Sequence, residues 1–224
     1  MRDVLIALCP ALIAGCVVFG LRALLVVAVT TAACIFFEWG YEKLCGKPST
    51  ICDLSAAVTG VLLAMNLPVS IPLWQAVFGA LVAMVAVKGL FGGIGKNFAN
   101  PAITARIVMF LAFSKSMTAW VFPDAVSSAT PLAMMANGES VDYLTLLLGN
   151  HGGCLGETSA LALLIGFAYL LIRGVISWHT PVCFVGTVFV MSLILGQDAV
   201  GQILSGGLML GAIFMATDYS TTPS

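Results

Sequence analysis

The stretch DLSAAVTGVLLAMNLP, Asp53 to Pro68, decides the fold. Its apolar part, 54–67, is interrupted at Asn66 and bounded by Pro68, and it falls short of the roughly 20 apolar residues that a membrane-spanning helix takes. A second segment of the same kind, 101–113, opens on Asn100 and Pro101. Both read as half-helices that enter a bilayer and break. Irregular backbone survives at that depth only where protein or a cavity satisfies its N–H and C=O groups, and such breaks are where transporters place ligands and ions.

The rest of the chain supplies the membrane that this reading needs. Of 224 residues 60% are hydrophobic and 8% charged, with a mean hydropathy of +1.08, which excludes an ordinary soluble domain. Apolar runs at 4–20, 22–39, 73–88, 158–176, 180–196 and 201–216 predict six spanning helices. Met1-Arg2 before an apolar run also has the look of a signal peptide, with Ile13-Ala14-Gly15-Cys16 as a lipoprotein-type cleavage box. Asp3, Pro10 and the apolar character that resumes after Arg22 favour a first transmembrane helix instead. Nine basic against ten acidic residues leave no electrostatic footprint for nucleic acid.

With a cytoplasmic N-terminus, Arg2, Lys43, Lys47, Lys88, Lys96 and Arg173 fall inside, and Arg22 and Lys115 outside, as the positive-inside rule prefers. Arg106 lies within a half-helix. The same assignment makes residues 1–113 a first membrane region, puts 114–156 on the extracytoplasmic side, and leaves 157–224 as a second membrane region. Trp39, Tyr41, Trp74, Trp120 and Trp178 fall near predicted helix ends, where interfacial belts form.

Seven cysteines contain no C-x-x-C pair, so this chain alone builds no zinc or iron–sulfur site; most are small apolar fillers. Gly92-Gly93-Ile94-Gly95-Lys96 lacks phosphate-loop spacing and follows a transmembrane run, which excludes nucleotide binding there. His151 and His179 read as structural or interfacial. Glu157 opens a membrane helix, where acid offsets the helix dipole. It is equally placed to handle a coupling cation, as are Asp53 and Asp218 beside breaks. Nothing in the sequence selects Na⁺ or H⁺.

In the extracytoplasmic segment, Asp124-Ala125-Val126-Ser127-Ser128-Ala129-Thr130-Pro131-Leu132 sets a hydroxyl among small residues. Locally, Thr130 is a helix N-cap with Pro131 at the first helical position, starting a short helix to Asn137. The same open hydroxyl suits attachment, and a phosphodiester at a helix N-terminus would be stabilised by its free N–H groups and the dipole.

This segment is similar to the D-x-x-S-G-A-T motif of the family that joins the B subunit of the sodium-pumping NADH:quinone oxidoreductase and the D subunit of the Rnf complex. Asp3 to Gly15, Asp53 to Pro68, Phe91 to Ala102, Gly156 to Ala162, Val175 to Pro181 and Phe214 to Pro223 resemble the Rnf D subunit in the same order.

The resemblance implies an all-α polytopic membrane protein, an inverted-repeat helical bundle with broken half-helices, urea-transporter-like. An internal echo agrees with it: Ser55-Ala56 recurs as Ser159-Ala160, and the break at Asn97 to Pro101 as Thr217 to Pro223. Family members extend beyond the position of Ser224, so the second repeat is expected to be incomplete. The implied activity is that of a subunit of an ion-translocating oxidoreductase, inactive alone, in a bacterial inner membrane with the Thr130 segment outside.

The resemblance also implies FMN esterified to Thr130 by a flavin transferase, and a noncovalent riboflavin near the break, with Asn100 and Asp218 as its contacts. Glu157 and Asp53 are the candidate ion pathway, and other Rnf subunits are the partners. Ser128 stands where the motif has Gly, which narrows backbone freedom beside the acceptor. Three other readings stay open: the quinone-reducing complex's B subunit, a flavin-free solute channel on the same repeat, and a truncated, nonfunctional subunit.

Overall fold

The computed structural model describes residues 1–47, 50–93, 95, 97, 99–120, 130–138, 141–149 and 151–218, and among these the extended elements are all helices. In chain order they are α1 (Arg2–Phe19), α2 (Leu21–Leu44), α3 (Ser55–Met65), α4 (Leu73–Leu81), α5 (Pro101–Ala112), α6 (Ser114–Met117), α7 (Pro131–Ala136), α8 (Tyr143–Leu148), α9 (Ala160–Ile172), α10 (His179–Ile194), α11 (Ala199–Leu204) and α12 (Leu208–Leu210). Short 3₁₀ turns occupy Ile51–Asp53 and Leu155–Glu157, and π-helical runs extend α4 over Val82–Gly89 and α12 over Gly211–Met215.

Among the described residues, α1 and α2 are the helices long and apolar enough to cross a membrane by themselves. The shorter apolar helices are α3, α4 with its π extension, α5, α9 and α10. One expected span divides. The run 201–216 becomes α11, a break, and α12 with its π run. Ser205 turns to extended backbone and Gly206 takes φ +70°, a conformation no continuing helix adopts.

The chain forms two compact units. The first comprises Met1–Arg2, Leu21–Ala119 and Asp218–Ser224; the second comprises Asp3–Gly20 and Trp120–Thr217.

In the first unit α2 packs against α3 and α4, and α5 packs against α3 and the π run. Gly60 lets α3 approach α2 closely: a Cβ there would stand 2.7 Å from the Thr31 Cα. The stretch between α3 and α4 holds Asn66, Pro68 and Pro72 and cannot stay helical. Its polar groups are satisfied within the unit. Asn66 Nδ2 donates to the Leu62 carbonyl at 2.7 Å, and its Oδ1 accepts from Arg106 Nη1 of α5 at 2.8 Å. Arg22 at the start of α2 donates to the carbonyls of Val69 and Ile71 at 3.4 and 3.0 Å. Ser70 donates to the Ala119 carbonyl at 2.5 Å. The requirement for internal satisfaction of a broken helix is thus met by two arginines, an asparagine and a serine.

In the second unit α1 and α9 meet through small residues. Gly166 of α9 lies directly against the Ala7 carbonyl and beneath the Phe214 ring, where a Cβ has no room. Gly15 faces the Leu155 carbonyl, 3.2 Å from where its Cβ would be. Toward the N-terminal end of α1, Tyr169 and Arg173 both donate to Asp3 Oδ1, at 3.1 and 3.2 Å. Asp198 caps α11 by accepting from Val200 N and Gly201 N at 3.2 Å, and its second oxygen accepts from the Tyr143 hydroxyl at 2.9 Å.

Candidate functional site

The π run Val82–Gly89 ends in a turn closed by Gly93 N donating to the Lys88 carbonyl at 2.9 Å, and the chain then leads to Asn100. Pro101 follows as the first residue of α5, so Asn100 is extended, φ −63° and ψ 123°. Its Oδ1 accepts from Ala102 N and Ile103 N at 3.0 and 3.4 Å, capping the helix. Its Nδ2 donates to Asp218 Oδ2 at 3.2 Å. The two residues that the resemblance implies as contacts of one group therefore meet in one unit, although 118 positions apart. Asp218 follows the second π run, and Thr217 closes that run by donating to the Ile213 carbonyl at 2.5 Å. A carboxylate held by an amide above a helix N-terminus offers acceptor and donor edges side by side.

Thr130 is extended, φ −63° and ψ 155°, and its Oγ1 accepts from Ala133 N at 3.4 Å as the N-cap of α7. Pro131 occupies the first helical position. Thr130 is partly exposed. Asp124, Ser127, Ser128 and Ala129 of the attachment motif lie outside the described residues, as do Lys96, Glu139 and Tyr219 to Ser224.

Asp53 ends a 3₁₀ turn and accepts from Ser55 N at 2.8 Å, so it supplies the side-chain cap that Leu54, in the left-handed region at φ 64°, does not. It is exposed. Glu157 ends the other 3₁₀ turn, its Oε2 accepting from Cys154 N at 3.3 Å in a reciprocal cap. Two residues on, Ser159 caps α9 by accepting from Ala162 N at 3.2 Å. Both acids do the local work of helix starts, and Asp53 and Glu157 occupy equivalent positions in two copies of one local pattern: 3₁₀ turn, acid, one residue, serine, helix.

His151 is buried in the turn after α8, 6% exposed. Burial holds its imidazole below the ordinary value of 6.5, partly opposed by a contact with the Gly152 carbonyl and by the charge of Glu157. Its Nε2 is buried without a hydrogen-bond partner.

From sequence, Lys88 serves only as a topology marker, and Glu38 and Glu42 have no role. In the structure Lys88, 5% exposed, donates to Glu38 Oε1 of α2 and, at 2.5 Å, to Ser55 Oγ at the start of α3. One turn further along α2, Glu42 Oε1 accepts from the backbone N of Thr50 at 3.0 Å and from its hydroxyl. The signal was present: two acids spaced four apart in an apolar helix and a lysine inside another apolar run are costly unless paired. Among the described residues no cluster of His, Cys, Asp and Glu is arranged to hold a metal ion.

The family model described as NQR2, RnfD, RnfE matches residues 1–224. A relative in Acetobacterium woodii, the D subunit of a Na(+)-translocating ferredoxin:NAD(+) oxidoreductase complex, is 46% identical, with 100% of this chain and 73% of the relative aligned. The D subunit of a proton-translocating ferredoxin:NAD(+) oxidoreductase complex in Clostridium ljungdahlii is 36% identical over 100% of this chain and 74% of its own length. The B subunit of a Na(+)-translocating NADH-quinone reductase in Azotobacter vinelandii is 37% identical over 72% of this chain and 45% of the relative.

Proposed function

Because the chain belongs to the NQR2, RnfD, RnfE family, we propose that it is the D-type membrane subunit of an Rnf-type ferredoxin:NAD⁺ oxidoreductase, carrying electrons through FMN esterified to Thr130 and through a noncovalent riboflavin, coupled to export of Na⁺ or H⁺. The observation that carries the assignment is coverage: the D-type relatives align with the whole chain, whereas the B-type relative aligns with 72% of it. The other subunits of such a complex, and a flavin transferase, are its partners, and the bilayer is the bacterial inner membrane with Thr130 outside. A tripartite organisation, 1–113, 114–156 and 157–224, goes with this reading. The two D-type relatives are named for different ions, and transport measured with and without Na⁺ decides ion identity here.

An inverted repeat of the urea-transporter kind is supported by two local devices that recur in order. The 3₁₀ turn, acid and serine-led helix at Ile51–Met65 returns at Leu155–Ile172, and a π run precedes the break both at Val82–Gly89 and at Gly211–Met215. Isolated π turns mark functional positions in helices.

The residues present fit the groups proposed. Thr130 is partly exposed at the start of α7, where Pro131 has no N–H and Ala133 N donates to its Oγ1, so Leu132 N is the first-turn donor left beside a phosphoester. Asn100 and Asp218 present an amide and a carboxylate edge of the kind that orients ribityl hydroxyls or a ring nitrogen. Flavin supplies one- and two-electron transfer when bound, and this chain's part is attachment, orientation and electrostatic tuning. Asp53 and Glu157 are the carboxylates proposed to handle the coupling ion.

Co-expression with a matching flavin transferase, followed by in-gel fluorescence and mass measurement of the peptide holding Thr130, tests the central claim. An FMN-sized addition absent from Thr130→Ala is expected. An unmodified wild-type peptide would reject covalent flavin and favour the flavin-free channel.

A further inference from the structure

At the C-terminal end of α2 the first unit lines an open cavity of about 350 Å³. Its walls include Glu38, Tyr41, Glu42, Lys47, Lys88, Gly92 and Gly93. The volume is that of a small-molecule site rather than a bare ion.

Two features define what would fill it. First, Glu38 and Glu42 line the cavity, are 5% and 7% exposed, and each keeps one carboxylate oxygen, Oε2, buried with no hydrogen-bond partner. Both other oxygens are occupied, by Lys88 and by Thr50. Buried acceptors of this kind call for an N–H donor, above all a charged one. Second, the four charged walls cancel: two glutamates and two lysines. A cavity with that balance favours a ligand carrying both signs over a simple cation or anion.

The surroundings point to lipid. Lys47 is exposed and lies 5.1 Å above the Tyr41 ring; Lys43 lies 4.9 Å above Trp39. Phe36, Trp39 and Leu44 on the same end of α2 are exposed by 60%, 44% and 89%. Aromatic rings with lysines above them and bare apolar side chains alongside are the signature of a membrane interface.

We propose that this cavity binds the head group of an aminophospholipid of the phosphatidylethanolamine type, its ammonium meeting the carboxylates of Glu38 and Glu42 and its phosphate meeting Lys47. The site is independent of the flavin reading. A primary ammonium has three N–H donors for the carboxylates; the quaternary ammonium of choline has none, and phosphatidylglycerol lacks the cation.

Native mass spectrometry of the full chain, released from detergent with equimolar phosphatidylethanolamine, phosphatidylcholine and phosphatidylglycerol, provides the test. Retention of the ethanolamine lipid at least about tenfold over the other two is expected, falling by a similar factor in Glu42→Gln. Glu42 also holds Thr50, so Lys47→Ala, at an exposed position, serves as the second variant and is expected to lower retention several-fold. Soluble O-phosphoethanolamine bound with the same dependence on Glu42 keeps the site and makes its ligand the free head group. Equal retention of all three lipids, indifference to both substitutions, or displacement of the lipid by millimolar Na⁺ with no amine selectivity would overturn the proposal.

Discussion

The two compact units bury the backbone of broken helices in different ways. In the first, long side chains bridge distant segments: Arg22 to the Val69 and Ile71 carbonyls, Arg106 to the Asn66 side chain, and Lys88 to the side chains of Glu38 and Ser55. In the second, backbone approaches backbone through glycine, with Gly166 on Ala7 and Gly149 on Thr158, and the polar groups are met by adjacent caps at Asp142, Ser159 and Asp198. Buried charge is costly unless paired, so the first unit is sensitive to the loss of one partner. Close packing is intolerant of volume, so the second is sensitive to its gain.

The largest effect that tests this contrast is expected at Lys88. Replacing it with Met strands Glu38 in the first unit at a cost of about 3–5 kcal/mol, while adding Glu38→Gln to the same protein recovers much of the loss. Thermal melting of the detergent-solubilised chain reads both, and additive effects would remove the pairing from the account.

Next comes Gly166→Val, expected to cost about 1–3 kcal/mol by forcing α9 away from α1. Gly186 of α10, where a Cβ meets nothing within 4 Å, accepts Ala with little change. Equal melting temperatures for the two variants would break the contrast.

A smaller, graded effect belongs to His151. Its folded value lies below 6.5 because burial disfavours the cation. The unfolded chain therefore binds the proton more readily, and the contribution is whole above 6.5 and declines as pH falls below it. Melting temperature measured between about pH 7.5 and 5.5 should drop in wild type and flatten in His151→Gln. A parallel pair of curves would remove His151 as the cause. The smallest effect is expected at Arg173, half-exposed beside Asp3: Arg173→Ala should leave melting unchanged within error, as for other surface ion pairs.

The caps were legible because they depend on neighbours. Asn100-Pro101 and Thr130-Pro131 each write an acceptor and a fixed first helical residue into consecutive positions, and α5 and α7 start there. The half-helix segments were legible from length against bilayer thickness, and α3 and α5 form inside them. The break at Ser205 to Gly207 was not, because an apolar run is compatible with a continuous helix even with four glycines in it, until Leu132 is packed against Gly206. Glu38 and Glu42 passed unnoticed for a related reason: an acid near a helix end reads as interfacial until its depth and partners are known.

Composition and pattern by themselves determined a helical membrane protein, the helix breaks at Asn66 to Pro68 and at Asn100-Pro101, and the residues at which α5 and α7 begin, since each follows from hydropathy or from chemistry within a few positions. Tertiary structure alone decided that Asn100 meets Asp218, that Lys88 spans from Glu38 to Ser55, and that α1 is gathered into the unit of α9. Those contacts join residues from 33 to 166 positions apart. No local propensity encodes a pairing at that distance; it exists only once burial has removed water as the competing partner.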